Sequence, residues 1–136
     1  MQPDLPFEFL VTGTAVSLGA SGGARAQWQQ TVRTAAKQAL PEGAWLLTDP
    51  LAVTIYVFPN ARLSGDVDNR IKPILDAMGG SVYVDDEQVE RIVVQKFEPG
   101  RLFPFGAPSA VLSAALEAVE PIVYIRVTND LYEDLS

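Results

Sequence analysis

Cysteine and histidine are both absent from the 136 residues. Without cysteine there is no disulfide framework and no thiolate metal site, which is compatible with an intracellular setting. Without histidine there is no Ser-His-Asp triad, no imidazole base and little zinc chemistry. Carboxylate, lysine, tyrosine and metal-bound water remain as catalysts. Long apolar runs are missing too. No stretch approaches the roughly 20 residues of a membrane span, and the opening MQPDLPFEF has neither the basic region nor the apolar run of a signal peptide. A soluble, cytoplasmic protein with no membrane partner is expected. Positive charge is also scarce, with 10 Lys and Arg against 17 Asp and Glu and a net charge of −7. This weighs against nucleic-acid binding, which usually leaves a basic footprint.

What is present fits one domain, residues 1–136, because 48% hydrophobic content at this length can bury a real core. Leu5 to Thr12 alternates Phe7, Phe9 and Val11 against Glu8 and reads as a strand. The glycine-rich stretch 13–23 has no Walker lysine and no GxGxxG, so it reads as a connector. Ala24 to Leu40 reads as a helix stopped by Pro41 and Gly43, with Trp28 and Val32 on its apolar stripe and Arg25, Arg33 and Lys37 off it. Leu51 to Phe58 is near-continuously apolar and β-branched, as in a strand buried on both faces. Arg91 to Glu98 and Pro121 to Thr128 read as further strands, and Ser109 to Val119 as a helix capped by Ser109. Asn129 to Ser136 reads as a fraying acidic tail. The order implies an α/β (α+β) domain with a mixed β-sheet and flanking helices. Phe103 and Phe105, in the loop 99–108, have three readings: wedges that unstack bases, dimer contacts, or side chains folded back on the core.

The segment GDVDNRIKPILDAMGGSVYVDDEQVE, residues 65–90, concentrates the chemistry. Asp68, Lys72 and Asp76 are spaced to share one face of a helix, with Ile71, Leu75 and Met78 on the other and Asp66 just outside its start. Pro73 lies about one turn in, so the helix begins near Asn69 or is kinked. Gly79 and Gly80 end the helix, and Ser81 to Val84 reads as a short strand delivering Asp85 and Asp86. Gathered carboxylates repel unless a cation intervenes, and Mg2+ suits a few carboxylates plus water and phosphate oxygens. The plainer reading is an acidic, dipole-favoured helix start. A calcium EF-hand starting at Asp66 is rejected, since its sixth and twelfth positions hold Ile71 and Ala77 in place of Gly and Glu.

The run Asp66-Val-Asp68-Asn69-x-x-Lys72, then Asp76-Ala77, then Val84-Asp85-Asp86-x-Gln88-Val89 resembles the signature of RusA-type Holliday junction resolvases. The resemblance implies a RusA-like fold and a homodimer. It also implies a Mg2+-dependent endodeoxyribonuclease, Mn2+ being a possible substitute, that cuts four-way or otherwise branched DNA in recombination and repair. It further implies Asp66, Asp68 and Asp86 as metal-binding catalytic carboxylates, with Asp85 as the fallback ligand, and Lys72 as the catalytic lysine. Arg25, Arg62, Arg70 and Lys72 are the expected DNA contacts. Lys72, one turn beyond Asp68, could orient water or stabilise charge on the phosphorane, or it could simply form a surface ion pair with Asp68 or Asp76. Two Mg2+ would offset four of the site's negative charges. The competing reading is a non-catalytic RusA-like module that keeps the fold and acidic site but binds a protein or small ligand. The glycine-rich stretch is where it departs from its polar or basic relatives.

Overall fold

A computed structural model describes residues 2–17, 19–63, 67–99 and 105–133. Four strands form one mixed sheet in the order β1-β4-β2-β3, where β1 is Phe7–Thr12, β2 Leu51–Phe58, β3 Val89–Lys96 and β4 Ile122–Thr128. β4 runs antiparallel to both β1 and β2, with Ile55 opposite Ile125 and Phe9 opposite that same residue on the other side. β2 and β3 are parallel, with Ile55 opposite Val94. Parallel neighbours cannot be joined by a tight turn and need a long crossover, so residues 59–88 must leave one end of the sheet and return to the other. That crossover carries the acidic segment.

One sheet face packs on two helices, α1 (Gly22–Ala39) and α2 (Ile71–Met78), which also touch one another. Phe9, Val53, Ile55, Val123 and Ile125 from the strands meet Trp28, Val32 and Ala36 of α1 and Ile74, Ala77 and Met78 of α2. The other face is largely aromatic: Tyr56 stacks on Tyr124 at 5.5 Å and Phe58 on Phe97 at 5.0 Å. Leu112 and Ala115 of α3 (Ala110–Glu117) cover part of it. β2 is therefore buried from both sides, as its unbroken apolar run requires. At such sites a Leu, Ile or Met to Ala change costs about 2–5 kcal/mol.

Caps fix the helix ends. The Ser21 hydroxyl accepts from Ala24 N at 3.2 Å, so α1 begins slightly earlier than its apolar stripe suggests, and Ser109 accepts from Leu112 N at 3.1 Å as expected. Gly13, at φ 134, lies so close to Trp28 that a Cβ there would sit 3.0 Å from the indole ring, so this glycine sets how α1 docks on β1. One expectation needs correction. The segment 129–133 does not fray: Glu133 pairs with Arg126, and its carbonyl accepts from Arg91 at 2.6 Å, which holds it on the sheet. Of the three readings of Phe105, folding back on the core holds, since its ring lies 5.3 Å from Phe97 and 5.7 Å from Tyr56. Phe103 and the last three residues lie outside the described residues.

Candidate active site

The crossover leaves β2 at Phe58 and is anchored by Leu63, whose N–H donates to the buried carboxylate of Glu98 at 2.8 Å. Asp66, expected as a metal ligand, lies outside the described residues. Val67–Arg70 forms a 3-10 turn with Asp68 exposed in it, and α2 follows at once. Pro73 falls in the first turn of α2, where the N–H it lacks would have no helical partner, so the helix is entered without a kink. Arg70, expected to touch DNA, is half-buried, and its guanidinium donates to the Ala15 carbonyl. That bond joins the glycine-rich segment to the start of α2.

Beyond α2 the chain reverses without the expected strand. The Met78 carbonyl accepts from Ser81 N at 3.0 Å and Val82 N at 2.8 Å, while the Ser81 hydroxyl donates to the Ala77 carbonyl at 2.9 Å. Residues 81–84 are thus committed to a turn, with Gly80 at φ 83 making the reversal. Only Tyr83 makes sheet-like bridges, to Leu47 and Gly79. Its fully buried phenol donates to the Leu75 carbonyl at 2.7 Å and locks the reversal onto the last turn of α2. Burial pushes the Tyr83 hydroxyl well above its usual pKa, and the Asp86 charge adds to the effect.

Asp85 and Asp86 are separated by a helix boundary, so their roles differ. Asp85 caps a 3-10 turn, Asp86–Gln88, by accepting from Glu87 N at 3.2 Å. Gln88 completes a reciprocal box: its Oε1 accepts from Val84 N at 2.9 Å and Asp85 N at 3.0 Å. Its Nε2 donates to the carbonyls of Leu47 at 2.9 Å and Asp49 at 3.0 Å. One amide side chain therefore ties the acidic turn to the segment that precedes β2. Gln88 has no part in the expected catalytic set, although the spacing Asp85-x-x-Gln88 is itself the signal of a capping box.

Asp86 is brought to Lys72. The ammonium lies 2.5 Å from Asp86 Oδ2 and 3.0 Å from Asp76 Oδ1, with about half of the lysine side chain exposed. Bonding to Asp86, then to Asp76, raises the Lys72 pKa far above its ordinary value. Bonding to Lys72 lowers that of Asp86. The helical spacing of Lys72 and Asp76 thus becomes an ion pair, and the sequence-distant Asp86 joins it. Among the described residues no three carboxylates gather closely enough to hold an ion. The donor set still fits a hard cation: Asp68 and Asp86 offer only oxygen ligands with access to solvent, and nitrogen or sulfur ligands that would favour zinc are missing.

Of the other expected DNA contacts, Arg62 is exposed in the loop after β2, beside Lys96 and Glu98, and Arg25 is half-exposed in the first turn of α1. Among the described residues no helix is long and apolar enough to cross a membrane. A family model described as endodeoxyribonuclease RusA matches residues 22–103, more than half of the chain. The matched stretch runs from the first residue of α1 past the end of β3 and includes the whole crossover. No curated protein matches the chain.

Proposed function

Because this chain belongs to the RusA endodeoxyribonuclease family, we propose that it is a divalent-metal-dependent endonuclease that resolves Holliday junctions and related branched DNA in recombination and repair. The observation that carries this reading is the Lys72 ammonium bonded to Asp86 and Asp76 on a turn fixed by Gln88. A carboxylate and a lysine from distant parts of the chain meet at the surface, within reach of a phosphodiester.

Asp66, Asp68 and Asp86 would hold Mg2+, or Mn2+ in its place. Asp86 is preferred over Asp85 because the Asp85 side chain is engaged as a cap. When bound, the metal supplies activated water and neutralises charge on the scissile phosphate. Lys72 keeps its proton throughout, since its pKa is raised by its carboxylate partners. It therefore acts as a fixed cation, donating to a non-bridging phosphate oxygen as negative charge grows there. Tyr83 stays neutral and serves to position the turn. Arg25 and Arg62 contact flanking phosphates. A homodimer would set two such sites against the two symmetry-related strands of a junction.

The test is a gel assay on a synthetic four-way junction with and without Mg2+, with sedimentation alongside. Paired nicks that need the metal, made by a species of twice 14.7 kDa, are expected. Asp68→Asn should abolish cleavage while keeping the fold and junction binding, because a carboxylate that repels phosphate has gone. Failure of the wild type to cut any branched DNA with Mg2+ or Mn2+ would assign the chain to non-catalytic binding instead.

A further inference from the structure

The crossover is held at two places before it reaches Lys72. Upstream, the Leu63 N–H donates to Glu98 Oε2 at 2.8 Å, a bond between residues 35 apart in sequence. Downstream, the Arg70 guanidinium donates to the Ala15 carbonyl. Asp66 and Asp68, both expected to hold metal, fall in sequence between these two anchors. Glu98 is 9% exposed, and burying a carboxylate is unfavourable unless it is hydrogen-bonded or paired. A neutral acceptor would satisfy a backbone N–H, but a carboxylate makes that bond shorter and stronger. Lys96 Nζ, 3.7 Å from the same oxygen, offsets part of the charge. Glu98 stands two residues beyond β3, where the Phe97 N–H donates to the Val57 carbonyl at 2.8 Å and carries the pairing with β2 past the strand's end. Asp86 stands three residues before the start of the same strand, and the turn Val67–Arg70 touches it. β3 is thus the common support of both carboxylate-bearing segments.

We infer that Glu98 is a positioning residue for the metal ligands: its bond to Leu63 N fixes how the crossover leaves β2 and so holds the Asp66 and Asp68 segment in register with Asp86. This rests on the endonuclease reading. Glu98 touches neither metal nor DNA in this role and acts through the backbone. Leu63 keeps its own place in the core among the residues beneath α1 and α2, so losing the bond frees the backbone that leads to the carboxylates without emptying the core. A carboxylate that merely closed a turn would affect stability alone. One that positions ligands also sets metal affinity, as partners that orient ligands from behind commonly do.

The test reads Mn2+ affinity by calorimetry and exchange of the Leu63 amide by NMR, beside cleavage of a four-way junction. Glu98→Ala should speed exchange at Leu63, weaken Mn2+ binding about tenfold and lower kcat about thirtyfold, with KM within about threefold of wild type. Glu98→Gln keeps an oxygen acceptor for the same N–H and should restore all of these to within about threefold. Leu112→Ala, on the opposite face of the sheet, controls for stability: it should lower the melting temperature yet leave Mn2+ affinity unchanged. Should alanine at 98 unfold the chain, Glu98→Asp, which keeps the charge but withdraws the oxygens by one methylene, should show the same loss of Mn2+ affinity. Wild-type Mn2+ affinity in the folded alanine or aspartate variant overturns the positioning role and leaves the endonuclease reading standing. So does a Glu98→Gln protein as impaired as alanine, or an equal loss of Mn2+ in Leu112→Ala. A wild type that neither binds Mn2+ nor cuts a junction overturns both.

Discussion

Replacing Gln88 by alanine should damage both stability and activity, by an amount that follows from its four hydrogen bonds. Oε1 holds two backbone N–H groups and Nε2 holds two carbonyls. A net contribution of about 1 kcal/mol per bond would give about 4 kcal/mol. Val84, Asp85 and Asp49 are exposed, so water replaces much of what their groups lose, and about 2 kcal/mol remains. A chain of this length unfolds with an entropy of about 0.3 kcal/mol per degree, so the melting temperature should fall by about 7 °C. Cleavage should fall further than stability accounts for, because the turn carrying Asp86 loses its tie to the segment before β2. The assay is urea unfolding at pH 7 beside junction cleavage well below the melting temperature. Gln88→Glu sharpens it: the acceptor is kept, but a carboxylate oxygen replaces the donor facing the Leu47 and Asp49 carbonyls, beside Asp85 and Asp86. This variant should be at least as destabilised as alanine at pH 7 and should recover, relative to wild type, as pH falls below about 4.3 and the new carboxyl is protonated. A Gln88→Ala protein within about 0.5 kcal/mol of wild type would refute the claim that this side chain organises the site.

Lys72→Met should reduce cleavage at least about a hundredfold and raise the affinity for Mn2+ measured by calorimetry, because Asp86 and Asp76 lose the ammonium that competes for them. The Lys72 and Asp86 pair, being largely exposed, should show a coupling of no more than about 1 kcal/mol in a double-mutant cycle at pH 7. The lowered Asp86 pKa supplies stability present above its unfolded value near 3.9 and lost as pH falls through the folded value. The raised Lys72 pKa supplies stability present below its unfolded value near 10.4 and lost as pH rises beyond it. The coupling measured by unfolding should therefore be flat between about pH 5 and 9 and fade outside that window. Tyr83→Phe should cost about 1 kcal/mol, since the Leu75 carbonyl keeps its bond from Gly79 N; a loss above about 3 kcal/mol would mean that the phenol holds more of the turn than its one bond.

The strands and helices were readable because their causes are local. The run Leu51 to Phe58 is almost unbroken in apolar residues, Ser109 announces its helix, and Asp76 follows Lys72 by one helical turn. The reading failed where a partner outside the segment decided the matter. Ser81 to Val84 has the β-branched and aromatic residues of a strand, but with Met78's carbonyl drawing three of its N–H groups and Tyr83's hydroxyl spanning to Leu75, a compact turn satisfies more of its polar groups than an added strand could. The tail through Glu133 looked like solvated charge because Arg126 and Arg91, which hold it, lie on two different strands. Phe105 kept three readings because nothing local shows that Tyr56 and Phe97 leave an aromatic surface for it. The link between Lys72 and Asp86 spans 14 residues, and only the family signature, not periodicity, placed those two residues in one site.

The acidic charge, which at first weighs against DNA, has a structural counterpart in how the cations are used. Arg126 is paired with Glu133, Lys96 lies 3.7 Å from Glu98, Arg91 holds the Glu133 carbonyl and Lys72 bridges Asp76 and Asp86. With Arg70, which donates to the Ala15 carbonyl, five of the ten basic residues make such bonds within the fold, which leaves less positive charge free for phosphate. On the endonuclease reading proposed above, little of the affinity for DNA would then come from charge density alone. The same bonds hold Lys72 and Asp86 in fixed relation, so on the proposed reading the charge is placed for chemistry at the site and not for grip along a duplex.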